Sequence, residues 1–176
     1  EAQGYNVQML EFIDMEHIKN AIQELQERGF KGFTTIKELK RNFSCGNIPH
    51  TSGVYIVLYP TTEHPQFMER GTGGFFKDKN PDVSIEKLQA KWVEKEAVIY
   101  IGKAEDLNNR VKQYIDFGSG KPVGHYGGRY IWQIESSDNL TVCWKDFENA
   151  REKEKEMILE FKDEHNGMLP FANLKL

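Results

Sequence analysis

Cysteine is scarce in this 176-residue sequence. It holds only Cys45 and Cys143, which stand far apart and show no metal-ligand spacing. Cys143 lies in an apolar, strand-like run, and this context predicts a buried free thiol. Free thiols suit a reducing compartment, so we expect a cytoplasmic protein.

Long hydrophobic runs are also lacking. No stretch approaches the ~18 consecutive apolar residues that a membrane helix needs, so we expect no membrane partner. Hydrophobic residues make up 39% and charged residues 28% of the chain, a balance that predicts a soluble, globular protein. The length is sufficient for one ordinary domain with a core of its own.

An excess of basic charge is the third missing feature. The net charge is −4 and the pI is about 5.8, which argues against a protein that coats nucleic acid non-specifically. A nuclease is not excluded, because only its cleft need be positive. Residues 103–129 hold five basic and three acidic side chains, a weak local excess in an acidic chain.

Hydrophobic periodicity and turn residues predict the secondary structure. The predicted helices span 14–28, 34–41, 84–96, 106–117 and 146–165. The predicted strands span 53–59, 97–102, 129–135 and 140–145. Together they indicate an α/β (α+β) fold with a small, mainly antiparallel sheet flanked by helices.

Two tyrosines are placed to meet on this sheet. Side chains alternate along a strand, so Tyr55 and Tyr100 should emerge together, opposite the aliphatic faces of their strands. Those faces comprise Val54, Ile56 and Leu58 in one strand and Ile99 and Ile101 in the other. Two phenols can form half of a site. Ordinary strand aromatics are the alternative, and the strand pattern alone favours it.

Arg110 borders the apolar stripe of the helix at 106–117, three residues after Leu107 and four before Tyr114. Its guanidinium could point along the sheet edge toward the tyrosines, where a planar cationic group suits a phosphate. A solvated surface arginine is the alternative, and the better one for this residue in isolation.

Glu154 occupies a position on the last helix where leucine would be expected. The stripe around it is formed by Phe147, Ala150, Met157, Ile158 and Phe161. A carboxylate there is costly unless it is paired or bound to a metal. A metal ligand and a buried ion pair with Arg151 or Arg110 are equally compatible with the pattern.

Five separate segments resemble the GIY-YIG endonuclease superfamily. Gly53-Val54-Tyr55 and Tyr100-Ile101-Gly102 are similar to the two halves of the motif, with Val in place of Ile. The run from Tyr100 to Tyr114 is close to UvrC-type excision nucleases, with Lys after the motif and then Leu, Arg and an aromatic residue. Residues 150–161 resemble the metal-binding helix, and Pro170-Phe-Ala-Asn173 resembles the closing Pro-x-x-Asn. Because the five segments occur in the family's order, together they form a strong signal.

This resemblance implies a metal-dependent DNA endonuclease. Glu154 would hold a single Mg²⁺ or Mn²⁺. Tyr55 would act as general base toward water, with Tyr100 assisting, and Arg110 would stabilise the pentavalent phosphorus. A free phenol has a pKa near ~10, so Lys103, Arg110 and the metal are expected to lower that of Tyr55.

Four further residues complete the expected site. The resemblance places Tyr114 near the phosphate and gives Asn173 the task of orienting Glu154 or its neighbours. In the Gly-rich loop, His125 and Arg129 are candidates for contact with the DNA backbone. An ordinary loop residue is the more common explanation of such a histidine.

One departure from the family is the length between the motif halves, which are usually about ten residues apart. Here an insertion at about 60–97 separates them, a candidate for DNA contact, a dimer contact or a surface excursion. Residues 1–50 are expected to form an N-terminal helical extension to the nuclease domain at 51–176. A DNA-binding module without catalysis and a protein-interaction domain are the alternative functions, and the sequence leaves monomer and homodimer open.

Overall fold

The computed structural model describes the backbone of residues 2–176 and the side chains of residue 9 and residues 15–176. The helices are α1 (Ala2–Glu27), α2 (Ile36–Arg41), α3 (Ile85–Lys91), α4 (Leu107–Gly118) and α5 (Ala150–Glu164). The strands are β1 (Lys31–Thr35), β2 (Gly53–Leu58), β3 (Val98–Ala104) and β4 (Thr141–Asp146). The α+β class, with a small antiparallel sheet between helices, is thereby confirmed.

The four strands form one sheet in the order β1-β4-β2-β3, and each neighbouring pair is antiparallel. Strand β2 lies inside the sheet, and all six of its residues are buried. A strand covered on both faces can be apolar throughout, as Gly-Val-Tyr-Ile-Val-Leu nearly is. Strand β3 is the edge strand next to it.

Helices cover both faces of the sheet. Val54, Ile56 and Leu58 pack in one cluster with residues of α1 and α5. Tyr55 and Val57 pack in the second cluster, with residues of α2, α3 and α4. The predicted separation of aliphatic and tyrosine faces in β2 is therefore confirmed.

Strand β3 departs from the predicted alternation. Its register with β2 shifts between Val57 and Leu58, so Val57 pairs with Tyr100 and Leu58 pairs with Val98. Ile99 has no partner across this bulge, and it joins the same cluster as Tyr100, whereas Ile101 joins the other one. The prediction that Ile99 and Ile101 share a face is wrong, because a bulge adds a residue that strict alternation does not allow for.

The segment predicted as a strand at 129–135 is a short 3₁₀ helix, Arg129–Gln133. It begins after Gly128, which has a φ of 74°. Four consecutive residues, Tyr130 to Gln133, are buried, a run that periodicity alone does not separate into helix or strand. Only Ile134 makes a strand-like bridge, to Phe67.

The first 50 residues contribute a strand as well as helices. Strand β1 pairs with β4, although the sequence pattern does not predict it. The short helix α2 is predicted well, because Thr35 caps it and Glu38 bonds back to the Thr35 N–H in a capping box. These residues therefore extend the same sheet that carries the two motif tyrosines.

The insertion at 60–97 closes one end of the core. Leu88 is buried, and the Trp92 ring lies 4.9 Å from that of Tyr59 and 5.1 Å from that of Phe171. Helix α3 ends at Lys91, earlier than the predicted 96, since Trp92 takes an extended conformation. This segment is therefore not confined to the surface.

Both cysteines are free; Cys143 is buried, as predicted, and Cys45 is exposed. Burial raises the pKa of the Cys143 thiol. Of the helices that the structure describes, none has the length and apolar content to cross a bilayer.

Candidate active site

A cavity of about 790 Å³ opens beside edge strand β3 and the start of α5. Its wall combines residues from both faces of the sheet, because the cavity lies at the edge where the two faces meet. Five of the nine predicted site residues line it, namely Tyr55, Tyr100, Lys103, Arg110 and Glu154. These residues come from β2, β3, α4 and α5, so the fold brings together groups that are far apart in sequence.

Gly102 allows the Tyr55 ring to reach this edge. The two residues are paired across β2 and β3, and the ring lies directly over the glycine. A Cβ at position 102 would lie 2.5 Å from Cζ and 2.7 Å from the hydroxyl oxygen of Tyr55. Any side chain at position 102 would displace the Tyr55 phenol from the cavity. The glycine in the second half of the motif therefore has a steric explanation.

Because the resemblance implies a DNA endonuclease, we expect Gly102→Ala to lower cleavage about 10²-fold, the cost of a ~1 Å displacement of a catalytic group. Gly167→Ala is the matched control, since its Cβ would meet nothing within 4 Å but its φ is 86°. That control should lose about 1–2 kcal/mol of stability and keep its cleavage rate. Equal cleavage rates for the two variants would contradict this steric account.

Tyr55, Tyr100 and Tyr114 form a compact aromatic cluster. Their ring centroids lie 5.4–6.0 Å apart in edge-to-face arrangements. Tyr55 is 1% exposed and Tyr100 is 7% exposed, so little of either side chain is open to the cavity that both line. The cluster fixes both phenols by packing.

Burial raises the pKa of Tyr55 well above its ordinary value. The neighbouring Tyr100 adds to the rise, and the Arg110 guanidinium offsets only part of it. Burial also raises the pKa of Tyr100. Arg110 lowers the pKa of Tyr55 as expected, but among the groups of the chain desolvation outweighs it. Tyr55 is a phenol at neutral pH.

Arg110 lies beside the tyrosine cluster, as the helical spacing predicted. Its guanidinium donates to the backbone carbonyl of Gly124 at 3.1 Å and to the side chain of Gln113 at 3.2 Å. Its positive charge influences the pKa of each ring in the cluster. These bonds hold a planar cation at the cavity wall, so it is not the freely solvated arginine of the alternative interpretation.

Glu154 is partly buried, with 18% of its side chain exposed, and it forms an ion pair with Lys103. The Lys103 Nζ and Glu154 Oε2 atoms are 3.2 Å apart. An ion pair is one of the two interpretations of this carboxylate, but the partner is neither Arg151 nor Arg110. Lys103 comes from β3, and its contact with α5 depends on how the helix packs on the sheet.

Tyr114 and Asn173 do not line the cavity. The Tyr114 hydroxyl is buried and donates to the backbone carbonyl of Gly128. The Asn173 side chain accepts from the N–H and donates to the carbonyl of Ile101, at 3.0 Å and 2.8 Å. Asn173 therefore satisfies the open edge of β3, and its side chain bonds to Ile101 rather than to Glu154 itself.

Arg129 is also outside the cavity wall. Its guanidinium stacks 4.0 Å from the Tyr126 ring and 5.2 Å from the Tyr130 ring, and it donates to the Tyr126 carbonyl. These contacts hold Arg129 against the Gly-rich loop.

His125 is fully buried, which overturns its prediction as a loop residue that reaches DNA. Its ring stacks on Tyr114 at 4.2 Å between centroids. Its Nε2 lies 2.9 Å from the Tyr55 hydroxyl, and its Nδ1 lies 2.9 Å from the Gly127 carbonyl oxygen. Burial, assisted by the charge of Arg110, lowers the pKa of His125 to about 3.

The low pKa of His125 predicts a loss of stability in mild acid. A histidine whose pKa is lowered by folding stabilises the fold at pH values above its unfolded-state pKa of 6.5. This contribution is lost as the pH falls toward 3. Between pH 7 and pH 5, the parent should lose about 2 kcal/mol more than His125→Gln. Urea unfolding at the two pH values measures this difference, and equal losses would show that His125 titrates normally.

Nothing in the sequence pattern indicates that the cavity is acidic. Its wall carries three basic side chains against five acidic ones. The basic ones are Lys103, Arg110 and Arg151, and the acidic ones are Glu105, Asp106, Glu148, Glu152 and Glu154. The wall of this cavity therefore carries a net negative charge. Charge counts along the chain miss this, because residues 148–154 join the wall only through the packing of α5.

Comparison with protein-family models, with curated proteins and with solved structures finds no significant match to this chain. The likeness to GIY-YIG enzymes therefore rests on the motif residues and their placement.

Proposed function

We propose that this chain is a metal-dependent DNA endonuclease of the GIY-YIG type, which hydrolyses phosphodiester bonds in the cavity beside β3. The observation that carries the proposal is the shared cavity of Tyr55, Tyr100, Lys103, Arg110 and Glu154. Two phenols, two cations and one carboxylate are the groups that activate water, bind a phosphate and hold a divalent ion.

The chemistry of the cavity fits a hard divalent cation. Glu154 offers carboxylate oxygens to a space wide enough for an ion that keeps several waters, as Mg²⁺ does. Among the described residues, no group of three or more His, Cys, Asp or Glu side chains could hold a metal. On this proposal Glu154 would be the one direct protein ligand to a Mg²⁺ or Mn²⁺ ion, and water molecules would complete the coordination. When bound, the ion supplies charge neutralisation at the phosphate and the leaving oxygen.

The acidic wall gives this ion a second purpose. Because the wall has two more acidic than basic side chains, it repels a phosphate in the metal-free protein. One divalent cation balances that excess. We therefore expect DNA to bind this cavity more tightly with a divalent ion than with EDTA.

The residues of the chain divide the remaining tasks. Because Tyr55 keeps its own proton, it takes none from water; it accepts a hydrogen bond from the attacking water and orients it, and Tyr100 assists through its neighbouring hydroxyl. The proton of the water passes to a non-bridging phosphate oxygen as the new P–O bond forms, and from there to the leaving oxygen as its bond to phosphorus breaks. Arg110 donates to the phosphate oxygens, where its charge is most valuable as the pentavalent transition state forms. Lys103 holds the Glu154 carboxylate by its ion pair and brings a second positive charge to the phosphate.

Arg110→Ala should lower the cleavage rate about 10²-fold, as expected when one preorganised donor to the transition state is removed. Arg28→Ala is the control; Arg28 is paired with Glu160 at 3.2 Å and lies outside the cavity wall. Single-turnover kinetics on a labelled duplex measures both rates. If the two variants cut equally fast, Arg110 has no role at the phosphate.

A supercoiled-plasmid nicking assay with Mg²⁺ and with EDTA tests the proposed function. Mg²⁺-dependent nicked or linear product supports an endonuclease. Salt-sensitive DNA binding without cleavage would instead indicate a catalytically inactive DNA-binding module, and the absence of such binding would indicate a protein-interaction domain. The ratio of nicked to linear product also reports whether one strand or both are cut.

A further inference from the structure

The buried pair of His125 and Tyr55 is not explained by DNA contact. His125 has no exposed surface, and its ring is held between Tyr114, Tyr55 and the Gly-rich loop. A fully buried imidazole with both nitrogens hydrogen-bonded occupies one defined orientation. Such an arrangement specifies where the phenolic proton of Tyr55 must lie.

The hydrogen-bond partners determine the tautomer of His125. A carbonyl oxygen only accepts, so the Nδ1 facing Gly127 must carry the proton. The ring is neutral, because burial keeps the pKa of His125 far below neutrality. Nε2 therefore has no proton and accepts from the hydroxyl of Tyr55 at 2.9 Å.

We propose that His125 is a positioning residue that draws the hydroxyl proton of Tyr55 inward and so presents a phenolic lone pair to the cavity. The attacking water can then donate to Tyr55 and is oriented with its own lone pair toward the phosphorus. With the opposite tautomer, Nε2–H would donate to Tyr55, and the phenolic proton would be free to turn toward the water. The water would then be held in the wrong orientation for attack.

This inference rests on the proposed nuclease function, but its first test does not need cleavage. Imidazole ¹⁵N NMR of the histidine-labelled protein reports the tautomer, and loss of one signal set in His125→Gln identifies the residue. We expect His125 to be neutral at pH 7 with the proton on Nδ1. A proton on Nε2, or a protonated ring, overturns the proposal.

The second test compares two substitutions by steady-state cleavage of a DNA duplex. His125→Phe keeps a ring against Tyr114 but removes the acceptor, whereas His125→Gln keeps an acceptor near the Nε2 position but loses the ring. We expect kcat to fall about 10- to 100-fold in His125→Phe with little change in KM, the effect of one misdirected hydrogen bond. His125→Gln should recover most of that loss.

The proposal is contradicted if the activities of the two variants rank in the opposite order. If His125 only fills space, His125→Phe will retain more activity than His125→Gln, and the proposal is overturned. Equal loss in both variants overturns it too, because an acceptor would then not be sufficient. Absence of cleavage by the parent with Mg²⁺ would refute the nuclease function itself, while the NMR result would still report the tautomer on its own.

Discussion

Glu154→Gln should reduce cleavage by about 10³-fold or more while DNA binding in EDTA is kept or becomes tighter. The amide is a poor ligand for Mg²⁺, so the ion and its charge are lost from the scissile phosphate. The same change removes one negative charge from a wall in which acidic side chains outnumber basic ones. Single-turnover cleavage and filter binding, both at fixed salt, measure the two effects.

Glu156→Gln is the matched control for this substitution. It lies on the same helix and makes the same change of charge, but its carboxylate pairs with Lys153 at 3.0 Å and is not part of the cavity wall. Its cleavage rate should equal that of the parent. Full Mg²⁺-dependent activity in Glu154→Gln would remove the assignment of Glu154 as the metal ligand.

Tyr55→Phe is expected to have the second largest effect, a loss of about 10²- to 10³-fold in cleavage rate, because the attacking water loses the acceptor that orients it. The aromatic ring, which packs against Tyr100, Tyr114 and Gly102, is retained. The substitution removes only the hydroxyl, which lies 2.9 Å from Nε2 of His125. KM for DNA should change little, because the phenol acts on water rather than on the bound strand.

Tyr59→Phe is the control for this substitution. Tyr59 directly follows β2 and belongs to the same core cluster as Tyr55. Tyr59 is buried against Trp92, away from the cavity. We expect it to cut at the parental rate even if its stability changes, and thermal unfolding separates the two. Comparable losses in Tyr55→Phe and Tyr59→Phe would mean that the Tyr55 effect is structural.

Local patterns in the sequence predict those parts of the site that depend on spacing within one element. Alternation along β2 places Tyr55 opposite the aliphatic face, and helical spacing places Arg110 at the border of the α4 stripe. On α5, Glu154 is recognisable as a candidate because it occupies a position of the apolar stripe where leucine would be expected. In each case the evidence lies within a few residues of the group itself.

Features that depend on packing between distant segments are not predicted. The partner of Glu154 is Lys103, a choice that requires the position of α5 on the sheet. His125 lies among glycines, which usually indicates an exposed loop. This loop instead folds over the tyrosine cluster, and His125 is buried. Strand β1 is short and interrupted by a bulge between Gly32 and Thr34, so it has no clear alternation.

Desolvation explains why the pKa of Tyr55 is raised by the protein. The sequence places positive charge near Tyr55 and suggests a lowered pKa, but it does not show how completely the phenol is enclosed. Burial outweighs the charge of Arg110 and keeps the proton on Tyr55. That retained proton is the reason why the orientation imposed by His125 matters.

Cleavage of plasmid DNA in ¹⁸O-labelled water tests the central claim most directly, because it asks whether water attacks phosphorus. With Mg²⁺ present, the purified protein should cut the DNA and leave one ¹⁸O atom in the single terminal phosphate that each cut produces. EDTA should prevent both the cut and the label. Intact DNA, or cut DNA whose terminal phosphates contain no label, would contradict hydrolysis at the cavity of Tyr55, Arg110 and Glu154.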